Sequence, residues 1–176
     1  MSDAHTGTDL AEPVTEQDHS RGPATAPVTL VQYGDYQCPD TKRAHGVVQT
    51  LRARFGDDLR VVFRHFPRIA KHPHAERAAH LAEAAADKGR FWEMHDSLLS
   101  HEGEIDQEAL EAYADRFGLD PGHYEAGHRY ATRVSDDLQS GLQSGVDGTP
   151  TFYINGRRHA GANDLDTLQA AIEAAR

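Results

Sequence analysis

The order of apolar segments along the chain predicts a β-sheet covered by helices. Residues 28–34 and 59–66 are rich in β-branched and aromatic side chains, which is typical of buried strands. Between them, residues 39–55 place apolar side chains at the spacing of one helix face. Two strands separated by one helix are expected to pair in parallel, because the crossover helix brings the chain back to the same end of the sheet.

A second group of strands follows a long helical stretch. Residues 67–146 are almost entirely helical in pattern. Residues 149–154 are then predicted to form a strand, and Asn155-Gly156 is a strong hairpin signal that returns the chain through residues 157–160. With a last amphipathic helix over residues 164–176, this order predicts an α/β fold. We expect a four-stranded mixed sheet flanked by helices, with a helical insertion at about 67–146.

The length and the N-terminal composition predict one domain preceded by a flexible leader. A chain of 176 residues is long enough for one core, and we expect one domain rather than two. Residues 1–26 are polar, include Pro13 and Pro23 and lack an apolar period, so the domain is predicted to span 27–176. This leader also lacks the apolar core of a signal peptide, which predicts a cytoplasmic protein, and no segment is apolar enough to cross a membrane.

The charge and the cysteine count argue against several classes of function. The formal net charge is −10 without a dense lysine or arginine run, which argues against a nucleic-acid partner. The single cysteine excludes an internal disulfide and a thiolate-rich metal site. Several histidines lie in or near the helical stretch: His65, His72, His74, His80 and His95. Because they lack thiolates or carboxylates at a recognised ligand spacing, no metal site is predicted.

Cys38 has the position of a reactive thiol. It follows the first strand and directly precedes Pro39, a residue suited to the first turn of a helix. Backbone N–H groups at a helix N-terminus stabilise a negative charge, and the thiolate is the nucleophilic form of cysteine. The alternative is a buried, inert cysteine that serves as a small apolar side chain. The context of strand, Cys-Pro and helix favours the reactive interpretation.

A second feature, Gly148-Thr149-Pro150-Thr151, precedes the strand near the C-terminus. An X-Pro bond at a strand start, behind a glycine, is a candidate cis peptide bond, although a trans bond is the commoner case. Together with a Cys-Pro helix start, this feature is much more specific than either one alone.

On these residues the chain resembles the DsbA-like family of thioredoxin-fold proteins. The similarity runs from about residue 19 to the C-terminus, and its motifs lie in residues 22–39, 62–67, 72–75, 91–95 and 148–152. The resemblance implies that the helical stretch is an insertion into a thioredoxin fold. It also implies that Pro150 is cis and lies against the sulfur of Cys38, and that Thr149 presents its backbone to a bound substrate. Pro39 and Asp40 are further candidate substrate-binding residues.

One departure from the family changes the predicted chemistry. The family's active site is Cys-Pro-x-Cys, whereas this chain has Cys38-Pro39-Asp40-Thr41 and no other cysteine. A single thiolate attacks a disulfide to form a mixed disulfide, but release then needs a second thiol. The hydroxyl of Thr41 is predicted to donate a hydrogen bond to the sulfur. The charge of Asp40 opposes a thiolate, and those of Lys42 and Arg43 offset it.

Two functions remain open from the sequence. The first is a monothiol thiol–disulfide oxidoreductase in which Cys38 and Thr41 are catalytic and no cofactor is bound. An external low-molecular-weight thiol would be its co-substrate, and its partners would be protein or peptide disulfides or the mixed disulfides of small thiols. The second is a redox-inactive thioredoxin-fold module that binds a protein or peptide. Retention of Cys38 favours the first function, and loss of the second cysteine favours the other.

Overall fold

The computed structural model describes residues 9–120, 124 and 128–176, which form a mixed five-stranded sheet with helices packed on both faces. The strands are β1 (His19–Arg21), β2 (Val28–Gly34), β3 (Leu59–His65), β4 (Thr151–Ile154) and β5 (Arg157–Arg158). Their order across the sheet is β1-β3-β2-β4-β5.

Six helices are present in the described residues. They are α1 (Pro39–Phe55), α2 (Ala75–Ala86), α3 (Phe91–Leu99), α4 (Gln107–Arg116), α5 (His128–Gln143) and α6 (Leu165–Ala174), and a single 3₁₀ turn covers Gly56–Asp58. Four of them, α2 to α5, lie between β3 and β4. Within the described part of the chain, no helix combines the length and the apolar character that crossing a membrane requires.

The central strand β2 connects the two halves of the sheet. It pairs in parallel with β3, where Val28 lies opposite Leu59 and Gly34 opposite His65. It pairs in antiparallel fashion with β4 on its other side. The parallel pair has α1 as its crossover helix, as the sequence predicts, and the predicted α/β fold with flanking helices is confirmed.

Buried apolar side chains hold α1 against the sheet. One face of the helix buries Ala44, Val48 and Leu51, which pack in one cluster with residues of β2, β3 and β4. Leu168 and Ile172 of α6 belong to the same cluster. Because a close-packed interior leaves little room for displacement, the start of α1 has a fixed place at the carboxyl end of β2.

The N-terminal part of the chain differs from the prediction. Within residues 9–26, which we expected to be a flexible leader, β1 adds a fifth strand that pairs in antiparallel fashion with β3. Asp18 accepts hydrogen bonds of 2.9 and 3.1 Å from the buried guanidinium of Arg64, and the amide of Leu10 donates to the carbonyl of Gly156. Polar contacts to distant residues fix this segment, together with Leu10 and Val14, which pack against buried residues of the sheet. The remainder of the predicted leader, residues 1–8, lies outside the described residues.

Candidate active site

Cys38 lies where the carboxyl end of β2 meets the start of α1. It is the N-cap residue of α1, and Pro39 occupies the first helical position. The amide of Cys38 donates to the carbonyl of Asp35 at 3.1 Å, and its carbonyl accepts a hydrogen bond from the amide of Lys42. Only 6% of the residue is exposed, so access to the sulfur is narrow.

The sulfur of Cys38 points to the loop that precedes β4. Its Sγ donates a hydrogen bond to the carbonyl oxygen of Thr149 at 3.3 Å, although 111 residues separate the two positions. The peptide bond between Thr149 and Pro150 is cis. Within the described residues the side chain of Cys38 makes no capping hydrogen bond to α1.

Thr41 contacts the sheet instead of the sulfur. Its hydroxyl oxygen accepts a long hydrogen bond of 3.4 Å from the amide of Asp35, and its side chain is fully buried. A Cβ placed on Gly34 would lie 3.0 Å from the methyl carbon of Thr41. The predicted hydrogen bond to Cys38 is therefore not found among the described residues, because the first turn of α1 directs this position beneath the end of β2.

The charged side chains that follow Cys38 have separate partners. Asp40 forms an exposed ion pair with Arg43. The ammonium group of Lys42 donates to the carbonyl oxygens of His101 at 3.3 Å and Gly103 at 2.9 Å, and burial lowers the pKa of Lys42. Arg43 thus offsets the charge of Asp40 as predicted, whereas Lys42 is bound to the helical insertion.

Two clefts flank the Cys38 loop. One, of about 360 Å³, separates the start of α1 from the loop before β4 and is lined in part by Asp40, Thr149 and Pro150. The other, of about 540 Å³, separates the start of α1 from the helical insertion, and Pro39 and Lys42 are among its lining residues. The predicted substrate-binding residues are therefore divided between the two clefts, one on each side of the Cys38 loop.

A buried carboxylate, which the sequence reasoning did not identify, holds this loop in place. Asp35 is 1% exposed. One of its oxygens accepts the amide of Gln37, and the other accepts the amide of Arg68 and lies against Nδ1 of His72, each at 2.8 Å. Asp35 and His72 are 37 residues apart, so their spacing in the sequence gives no signal that they form a pair.

Gln37, directly before Cys38, ties the same loop to the insertion. Its side-chain oxygen accepts the amide of His74 at 2.6 Å, and its side-chain nitrogen donates to the carbonyl of Ile105 at 2.8 Å. The loop that carries the thiol is thus bonded to the segment before α2 and to the segment before α4. Fixed surroundings of this kind keep a reactive group in one orientation.

Comparisons with known proteins identify the family and the fold to which this chain is similar. The thioredoxin family pattern matches residues 14–174. A thioredoxin-like oxidoreductase from Silicibacter pomeroyi DSS-3 has a similar structure, with a TM-score of 0.80 and 25% identity over 92% of this chain and 94% of that one. The thiol-disulfide exchange protein alpha-DsbA2 from Wolbachia pipientis has a TM-score of 0.75 at 22% identity, over 90% of this chain and 87% of that one.

A curated relative with higher identity is much longer than this chain. The Na(+)/H(+) antiporter NhaA 1 of Salinispora arenicola is 46% identical over 171 residues, which are 95% of this chain and 26% of that protein. This chain thus spans about a quarter of the length of the curated relatives that it matches, and the antiporter name describes those whole proteins. The family pattern and the structural matches show that this chain belongs to the thioredoxin family, with the DsbA-like form of its fold.

Proposed function

We propose that this chain is a DsbA-type thiol–disulfide oxidoreductase that acts through the single thiol of Cys38. The observation that carries the proposal is the 3.3 Å contact between Sγ of Cys38 and the carbonyl of Thr149. It puts the thiol between the start of a helix, which favours a thiolate, and the backbone of a loop that lines a cleft. A nucleophile and a surface for a peptide chain are therefore adjacent.

The exchange proceeds in two steps that need only one protein thiol. The thiolate of Cys38 attacks the glutathione sulfur of a glutathionylated protein, the old S–S bond breaks, and the protein leaves as a thiolate that takes a proton from water. A glutathione thiolate then attacks the new disulfide on Cys38, forms oxidised glutathione and restores the Cys38 thiolate. The substrate disulfide is reduced to a protein thiol, and its glutathione half joins one molecule of free glutathione in the oxidised dimer.

The surrounding residues have defined parts in this scheme. The thiol proton must leave its hydrogen bond to Thr149 before attack, and the freed carbonyl then accepts an amide of the substrate chain. Pro150 and Asp40 border the cleft on this side, and Pro39 borders the cleft on the other. Thr41 supports the position of the loop through its hydrogen bond with the amide of Asp35.

The alternative function, a redox-inactive module that binds a protein or peptide, also has a specific observation in its favour. Cys38 is nearly buried, and the residue that replaces the second cysteine is fully buried and packs against the sheet. A chain that had kept only peptide binding would use the same two clefts. It would bind a peptide equally well after Cys38→Ser.

Steady-state turnover separates the two functions. A glutathionylated peptide is incubated with reduced glutathione and the full chain, and the released peptide thiol is followed against the uncatalysed rate. For the native protein we expect release faster than the uncatalysed rate. For Cys38→Ser we expect release at the uncatalysed rate, with peptide binding retained in both proteins. Turnover at the uncatalysed rate, with binding intact, would reject the oxidoreductase and leave the binding module.

A further inference from the structure

A buried group of two imidazoles and one carboxylate lies outside the Cys38 site. Nε2 of His19 and Nε2 of His65 each lie 2.7 Å from the same oxygen, Oε1 of Glu83. The three residues come from β1, β3 and α2, and their ligand atoms all lie within 4.8 Å of one another. The side chains are 16%, 1% and 8% exposed respectively.

The donor set is one that proteins use for transition metals. Two imidazole nitrogens and one carboxylate oxygen form the three-residue ligand set of several zinc sites, with metal–ligand distances of about 2.0–2.2 Å. Two hydrogen bonds that converge on one oxygen bring the three atoms to a common point. An ion at that point would replace these hydrogen bonds after the ligand atoms separate by a few tenths of an ångström.

The charge of the group also favours a cation. Glu83 is buried, and both imidazoles of the group contact the same oxygen of its carboxylate. Among the described residues, no lysine or arginine forms a salt bridge with this carboxylate. A buried carboxylate needs a positive partner, and in the described part of the chain the two imidazoles or a bound ion can provide one.

In a second group of two histidines and one carboxylate, an arginine already forms an ion pair with the carboxylate. His45, His95 and Asp96 also lie within ligand distance of one another. The guanidinium of Arg21 already forms an ion pair with Asp96, and Nδ1 of His95 is 2.9 Å from the hydroxyl of Tyr36. A cation there would meet the fixed positive charge of Arg21, so this group serves as the internal comparison.

Aromatic rings orient the imidazoles of the first group. The ring of His19 stacks on Phe91 with 3.6 Å between centroids and 5° between planes, and His65 meets the edges of Phe91 and Phe63 at 6.0 and 5.6 Å. An apolar shell of this kind strengthens ligand bonds and limits competition from water. The partial exposure of His19, on an edge strand, gives an ion a route to the site.

We propose that His19, His65 and Glu83 bind one divalent transition-metal ion of the zinc class. The ion would join β1 to β3 and α2, and thus fasten the N-terminal segment to the sheet and to the helical insertion. The sequence prediction of no metal site depended on ligand spacing, and His19 lies 64 residues from Glu83. Binding at this site is independent of the redox function of Cys38.

Cobalt titration of the full chain tests the proposal. The Cys38→Ser form is used so that no thiolate is available, bound metal is removed with a chelator, and Co²⁺ is added while the visible spectrum is recorded. We expect one Co²⁺ per chain with the absorption bands of four-coordinate cobalt, and its displacement by one equivalent of Zn²⁺. Since loss of an outer partner of a metal ligand weakens binding ~10–100-fold, His19→Gln and Glu83→Gln should weaken it at least tenfold.

The control is His45→Gln, in the second group, which should bind Co²⁺ as tightly as its parent. His19→Gln alters a partly exposed residue of a three-residue edge strand, so this variant is expected to fold even if Glu83→Gln does not, and circular dichroism checks both. The proposal is overturned by the absence of saturable binding. It is equally overturned by cobalt spectra and affinities that do not change in His19→Gln.

Discussion

Replacing Asp35 by asparagine tests whether the buried carboxylate holds the Cys38 loop. The carboxylate has two acceptor oxygens that face three nitrogen atoms, those of the Gln37 and Arg68 amides and Nδ1 of His72. Asp35→Asn keeps the shape but provides one acceptor oxygen, so at least one donor would face an NH₂ group. An unsatisfied buried donor costs about 1–3 kcal/mol, and we expect the free energy of unfolding to fall by about 2 kcal/mol.

Urea denaturation, followed by the fluorescence of Trp92, measures this change. The matched control is Asp57→Asn, in the exposed 3₁₀ turn after α1, where substitution should change the free energy of unfolding by less than about 0.5 kcal/mol. A second measurement reports on the loop itself. Alkylation of Cys38 in the folded protein should be faster in Asp35→Asn, because the backbone around the thiol has lost one of its supports.

Two results would refute this reasoning. If Asp35→Asn and Asp57→Asn had the same stability, the three hydrogen bonds would not contribute as the geometry implies. If stability fell while Cys38 alkylation stayed at the native rate, Asp35 would support the fold without positioning the thiol.

Three further predictions concern other parts of the molecule. Thr41→Cys restores the Cys-Pro-x-Cys spacing of the DsbA-like family at the start of α1, so it should form an internal disulfide on mild oxidation, seen as the loss of both free thiols by intact mass. Burial, aided by nearby positive charges, holds the pKa of His95 well below its ordinary value. The unfolded chain therefore binds that proton first, and the free energy of unfolding should fall as the pH drops below about 6.5, less steeply in His95→Gln. Asp18→Ala should lower stability by ~3–5 kcal/mol in urea, because it leaves the buried charge of Arg64 without its carboxylate; a flexible leader would give no change.

The sequence predicts the main elements because their signals are local. The β-branched segment at residues 28–34 and the helical period at 39–55 match β2 and α1. Asn155-Gly156 has the positive φ angles, 49° and 83°, that a two-residue hairpin needs. The predicted strand at 149–154 is observed only from Thr151, because the cis peptide bond before Pro150 belongs to the loop that faces Cys38.

The features that the sequence does not predict depend on contacts between distant residues. β1 has three residues and no apolar period. Side chains of β3 and α2 hold it in place: Arg64 binds Asp18, which directly precedes β1, and Glu83 binds His19. The direction of Thr41 depends on how α1 is rotated against the sheet, which residue type alone does not define. The contacts of Asp35 with Arg68 and His72, in the loop between β3 and α2, depend in the same way on how distant segments pack.

The central claim is that Cys38 alone carries a disulfide through a complete exchange. Intact mass spectrometry after mixing the protein with a glutathionylated peptide tests it most directly, followed by addition of reduced glutathione. We predict a mixed disulfide on Cys38 within the first turnover, its loss when glutathione is added, and no adduct in Cys38→Ser. A native protein that never forms the adduct, or forms one that glutathione does not release, would contradict the account.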